Sequence, residues 1–258
     1  MPVQSETNIP TFEGYVEEYS TAPDRAEAPH YMRCFCSTTW IKSECGGILS
    51  RMVITYAGGY CFKLTSGDTT IAVNPPSGAS FFKVSKFGAD VVLVATHHPD
   101  WSGVETASHG GKEPFVIRGP GAYEVGDVTA TGYASEGALG GETNEYANTI
   151  YNVLFDGMDI LFLGALSTGK LSHEVRSNLD EVDIVFVPVG GKTLDPKTAH
   201  DLVVSLEPKL IVPYAVGARD ELKLFLKTAG APDSKPVDKL TLRSKDIALM
   251  SGEIALIE

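Results

Sequence analysis

Five consecutive apolar residues, Val91-Val92-Leu93-Val94-Ala95, stand between Asp90 and Thr96. A run this short, without polar alternation, reads as a strand buried on both faces, so the chain must fold in layers. Similar runs recur at 115–117 (FVI), 159–163 (DILFL), 183–187 (DIVFV) and 209–213 (KLIVP), which predicts several central strands. Ahead of them come MVITY (52–56), CFKLT (61–65) and TTIAV (69–73), separated by Gly58-Gly59 and Gly67-Asp68, the pattern of a meander of hairpins.

Two helices are equally legible. Asp195-Pro196 is an N-cap followed by proline at the first helical position, and Ala199, Leu202, Val203 and Leu206 follow on one face. A second helix starts near Asp220, sets Leu222, Phe225, Leu226 and Ala229 on one face, and meets Gly230 as a left-handed terminator. Hairpins first and strands alternating with helices afterwards predict an α/β protein with two mixed sheets and helices packed outside. Composition alone leaves other layered α/β folds open.

Residues 1–51 read differently: scattered Pro, Ser, Thr and Glu with no useful periodicity, hence a disordered or loosely packed extension before a domain at 52–258. At 258 residues and 43% apolar content the chain can bury a sizeable core as one domain plus this tail. A net charge of −12 disfavours nucleic acid or an anionic membrane as partner, because both repel the chain at long range. No run approaches the roughly 18 apolar residues of a membrane span, and the N-terminus lacks the order of a secretory signal, so a cytoplasmic location is expected. Cys34, Cys36, Cys45 and Cys61 suit free thiols better than a disulfide framework, and the Cys-x-Cys pair has no second pair at zinc-knuckle spacing.

The most pointed segment is Thr96-His97-His98-Pro99-Asp100-Trp101-Ser102-Gly103, directly after the buried run, where open α/β sheets bind ligands. Two imidazoles and a carboxylate this close can bind a divalent metal. They can equally hold a turn through hydrogen bonds to backbone, and the residues alone do not choose.

From Met52 to about Gly230 the chain resembles the metallo-β-lactamase superfamily of metal-dependent hydrolases, most closely its L-ascorbate-6-phosphate-lactonase-like branch. The resemblance rests on ITYAGGYCFKL, TTIAVNPP, VLVATHHPDWSG, IRGPGAYEVGDV, NTIYNVLFDGMDILFLGAL, DIVFVPVGGKTLDP and EPKLIVPYAVG, in the family's order and spacing. It implies a four-layer αββα sandwich of two mixed sheets with helices outside, and metal ligands on loops at the carboxyl ends of strands. Against the family's His-x-His-x-Asp-His, the segment from Thr96 to Trp101 keeps His98 and Asp100 and replaces the first and last histidines by Thr96 and Trp101. The next histidine falls at Ala134 or Ser135, the bridging Asp at Ala165 and the last histidine at Ala215. A supporting His corresponds to Gly59 and the Asp of the Asp-Pro strand end to Asn74.

A hydrolytic zinc site needs three protein ligands and an open position for water, so two remnants do not suffice. His97 is a poor third ligand, because adjacent residues of an extended segment point to opposite sides. The expectation is therefore no cofactor, with zinc or another divalent metal as the alternative. Further cleft candidates are Tyr123 and Glu124, read as part of a glycine-flanked turn, with Ser135, Asn148, Lys192 and Asp195. Gly190-Gly191 with Lys192 can meet a small anion through backbone N–H groups ahead of the helix. Trp101 can fill the vacated volume by apolar packing, with Ala165 and Ala215 tolerating its bulk.

The expected function is thus a metal-free, non-hydrolytic binding or interaction protein for an unidentified small molecule or protein. The alternative is a hydrolase of small phosphorylated or lactone-type substrates with an atypical metal site or none, although no Gly-x-Ser-x-Gly motif supports it. Oligomers occur in the branch it resembles, but no apolar stripe here marks an interface.

Overall fold

The computed structural model describes residues 51–139 and 148–258. The predicted extension therefore lies outside the described residues except for Arg51, as do Cys34, Cys36 and Cys45.

The chain opens with the predicted meander, β1 (Met52–Tyr56), β2 (Phe62–Ser66) and β3 (Thr69–Val73). It continues through β4 (Val91–Val94), a 3-10 turn at Pro99–Trp101, α1 (Val104–Ala107) and β5 (Phe115–Arg118). A hairpin of β6 (Gly121–Val125) and β7 (Val128–Ser135) leads to β8 (Asn148–Phe155) and β9 (Met158–Phe162). Then follow α2 (His173–Asn178), β10 (Ile184–Val189), α3 (Pro196–Leu206), β11 (Leu210–Ala215) and α4 (Arg219–Thr228). The last elements are β12 (Leu240–Leu242), α5 (Ser244–Ile247) and β13 (Glu253–Ile254).

These strands form two mixed sheets, one in the order β12-β1-β2-β3-β4-β5 and the other β13-β11-β10-β9-β8-β7-β6. In the first, β3, β4 and β5 are parallel and the rest antiparallel; in the second, β9, β10, β11 and β13 are parallel and the hairpin strands antiparallel. The strand period of two explains the unbroken apolar runs. Ile71, Leu93, Ile160, Ile184 and Phe186 point between the sheets, while Leu161, Val185 and Val187 point outward to meet Leu202, Val203 and Phe225 of α3 and α4. Outside the first sheet the layer is thinner: Ala72, Val92 and Val94 are covered by Ala107, Phe87 and Val104.

Both predicted helices form. Asp195 Oδ1 accepts from Lys197 N and Thr198 N at 3.1 Å to cap α3, and Gly230 follows α4 at φ +76°. One strand differs from its reading: β5 was expected to be central but is the edge of the first sheet, with Phe115 half exposed. Its run of three apolar residues is too short to distinguish an edge from a centre. Cys61 is a free thiol buried between the sheets, and burial pushes its pKa up to about 12, which keeps it an inert core residue.

Candidate functional site

The carboxyl end of β4 is built to hold a turn. Asn74, just past β3, adopts left-handed φ +45°, which an amide tolerates better than most side chains. Its Oδ1 accepts from Ala95 N at 2.8 Å and its N–H donates to Leu93 O at 2.8 Å, so the ends of β3 and β4 are tied together. After Thr96 the chain turns sharply. His98 caps the 3-10 turn, its Nδ1 accepting from Asp100 N at 3.2 Å, while its carbonyl receives Trp101 N at 2.9 Å and Ser102 Oγ at 3.2 Å. The Asp100 carboxylate lies 3.7 Å from the same imidazole. His97 is exposed whereas His98 is half-buried, and among the described residues neither belongs to a group of three or more His, Cys, Asp or Glu side chains that could hold a metal.

Trp101 goes inward. It is 4% exposed, and its ring meets Tyr60 edge-on at 5.4 Å and Phe82 at 4.6 Å. Tyr60 in turn meets Tyr214 at 6.0 Å, Tyr214 meets Phe62 at 5.2 Å, and Phe62 meets Phe186 at 4.7 Å. A column of rings therefore runs from the turn into the space between the sheets, each edge-to-face pair adding roughly 0.5–1.5 kcal/mol beyond its burial. The seat of the indole is Gly59: a Cβ at that position would fall inside the van der Waals envelope of the ring, and its φ of +58° already favours glycine. Tyr214 donates its hydroxyl proton to Gly164 O at 2.5 Å, which fastens the column to the loop after β9. Burial raises the pKa of the Tyr60 and Tyr214 hydroxyls above the ordinary phenol range, so both stay protonated donors.

Beside the column, Asn148 is fully buried and uses its whole amide. Oδ1 accepts from Ala165 N at 2.8 Å, and Nδ2 donates to Leu163 O and to Ser135 Oγ, both at 2.9 Å. Ser135 returns a hydrogen bond to Asn148 O at 3.2 Å. Together they clamp β7, β8 and the Gly164-Ala165 loop, while half-buried Ser135 also lines a surface cavity beside α2. Thr96, 1% exposed, bridges to Asn148 through backbone, and its Oγ1 has no hydrogen-bond partner among the described residues. Ala165 is buried in the same core, and Ala134 is exposed on β7. Ala215 ends β11.

The remaining candidates lie apart. Tyr123 and Glu124, read as turn residues, belong to edge strand β6; Tyr123 donates to Pro120 O at 3.2 Å, and Glu124 is exposed. The glycines on either side of them mark strand ends, which the sequence reading took for a single turn. Lys192 is exposed. At the Gly190-Gly191 turn the anion is internal: Glu221 Oε2, from α4, accepts from Gly191 N at 3.1 Å and Ala218 N at 2.9 Å. Asp195 serves α3 instead, its carboxyl held below the usual range chiefly by the Thr198 hydroxyl.

The model of the β-lactamase superfamily domain matches residues 53–215, from β1 through β11. The chain belongs to the metallo-β-lactamase superfamily. Its fold is similar to that of a Thermotoga maritima member provisionally described as a Zn-dependent hydrolase, at 24% identity and a TM-score of 0.61 over 80% of this chain and 100% of that one. It is also similar to a metallo hydrolase from Ignicoccus hospitalis, at 17% identity and 0.53 over 74% and 98%. An isothiocyanate hydrolase from Delia radicum gut bacteria gives 14% and 0.53 over 74% and 98%. No curated protein matches the chain significantly.

The metal that this superfamily fold implies does not fit the residues gathered here. Among the described residues no three His, Cys, Asp or Glu side chains converge. Thr96 offers a neutral hydroxyl and Ala165 no donor, while Trp101, an indole without a lone pair to give, projects into the core. Trp101 stands out in the sequence, whereas Tyr60, Tyr214 and Phe82 do not. Only the aromatic in the first glycine turn, Tyr60 beside Gly59, was near enough in sequence to signal its partner.

Proposed function

We propose that this superfamily member works by binding rather than by metal-dependent hydrolysis, its strand-end cleft having become an aromatic core. The observation that carries the reading is the Trp101 indole, buried on Gly59 and wedged between Tyr60 and Phe82 at the position the resemblance gives to a metal-binding histidine. Closing a site with apolar rings stabilises the fold and removes the open coordination position that a hydrolytic metal needs. The Asn148 clamp supports the same reading, since each of its polar atoms is committed to neighbouring backbone or Ser135. The substitutions at Thr96, Ala165 and Trp101 act together, each removing a donor. The ligand is an unidentified small molecule or protein, and the order of the motifs supports a place in the lactonase-like branch.

The test is elemental analysis of the full chain purified without chelator, beside a hydrolysis screen on phosphodiester, lactone and thioester substrates. Substoichiometric zinc, iron and manganese with no turnover is the expected result. Near-stoichiometric metal, or hydrolysis abolished by a chelator, overturns the reading in favour of a hydrolase with an atypical site.

A further inference from the structure

One face of α4 breaks the usual division of an amphipathic helix. Arg219, Leu222, Lys223 and Leu226 stand at i, i+3, i+4 and i+7, so two cations share a stripe with two leucines. All four line one cavity of about 790 Å³, at the edge of the second sheet, between α4, the Tyr56–Gly58 turn and the final residues. Its wall is mostly apolar, with Pro213 and Tyr214 of β11 and Leu256 and Ile257 beside the leucines. The volume falls in the range of roughly 300–1,000 Å³ typical of small-molecule sites, which pair an apolar lining with a few polar anchors.

The charges at the mouth narrow the ligand. Lys223 Nζ is 3.0 Å from Asp220 Oδ1, whereas Arg219 has no ion pair among the described residues. Glu258 lines the same cavity. One uncommitted guanidinium, a half-committed ammonium and a carboxylate in the same lining favour a single negative charge over two, because a dianion meets more repulsion than one arginine offsets. In a chain of net charge −12 such a cation pair beside an apolar trough is a local exception.

We infer that this cavity binds an amphipathic monocarboxylate, with its apolar body against Leu222, Leu226 and Tyr214 and its carboxylate on Arg219 and Lys223. The inference deepens the binding reading of the protein and rests on it, but no residue of the Trp101 turn takes part.

Calorimetric titration of the full chain with decanoate tests it, with decanol and decyltrimethylammonium as neutral and cationic probes of the same length. Saturable decanoate binding is expected, about tenfold or more tighter than either control, and weakened about tenfold in Arg219→Gln. Leu222→Trp, which fills the cavity while keeping the helix apolar, should abolish it. Binding of decyl phosphate tighter than decanoate overturns the monoanion assignment. No saturable decanoate binding up to about 1 mM, or equal affinity in Arg219→Gln, overturns the site itself. Circular dichroism of both variants establishes folding before titration. A metal-loaded, hydrolytic protein that still binds decanoate through Arg219 would defeat the metal-free reading alone, so the two failures are distinguishable.

Discussion

Two loops at the carboxyl ends of strands in this molecule have the glycines that usually admit a ligand, and both are filled by the chain itself, one with a ring and the other with a charge. After β1, Gly59 lies under the Trp101 indole; after β10, Gly190 crowds the Glu221 carboxylate, which accepts from Gly191 N and, from the segment past β11, from Ala218 N. The first filling is apolar, buried and tied into a column of rings. The second is a half-exposed carboxylate acting on backbone donors. The difference teaches that the same backbone device, a glycine bend that lets groups approach closely, sets no chemistry of its own. What the approaching side chain does follows from its burial.

Breaking the apolar filling should have the largest effect. Trp101→Ala opens a void beside Tyr60 and Phe82 and should cost about 3–5 kcal/mol of unfolding free energy, read from urea denaturation. Gly59→Ala forces the indole off its seat and strains a left-handed residue, at roughly 2–3 kcal/mol. The pair should be non-additive by about 1 kcal/mol or more in the double variant, because the alanine at 59 has nothing left to collide with. Additive losses would show that the ring and the glycine are independent.

The polar filling should be weaker and replaceable. Glu221→Ala leaves the N–H groups of Gly191 and Ala218 without their acceptor, at about 1–2 kcal/mol, and phosphate should raise the melting temperature of this variant more than that of the parent. Equal phosphate response in both would mean that the turn does not act as an anion seat. Least of all, Asp195→Ala should cost about 1 kcal/mol through loss of the α3 cap. Its carboxyl is held low in the folded state, so its contribution is present above the unfolded pKa of about 4 and is lost as pH falls through the lower folded value. The gap between parent and variant in melting temperature should therefore close in acid; a constant gap contradicts the assignment.

The sequence disclosed the fold more fully than the site. MVITY and TTIAV became β1 and β3 residue for residue, because alternation and glycine breaks are local signals. The edge placement of Phe115 was hidden, since which strand lies outermost depends on pairings far along the chain. At the site, Trp101 was legible as a filler, with Ala165 and Ala215 expected to tolerate its bulk, but its seat on Gly59 and its neighbours Tyr60 and Phe82 were not legible. Likewise Gly190-Gly191 read as an anion turn, and the carboxylate that fills it comes from Glu221, thirty residues away in the hydrogen bond that joins them. Both gaps concern long-range contacts, which periodicity and spacing do not encode.

The Gly59 and Trp101 couple also constrains how this protein can change. A histidine at 101 alone leaves a hole above the glycine, and a larger residue at 59 alone collides with the indole. Either single step passes through a destabilised intermediate, and only the joint replacement restores packing. The couple therefore works as a lock on substitution: each residue makes a change at the other costly, so the two positions are expected to change together rather than one at a time.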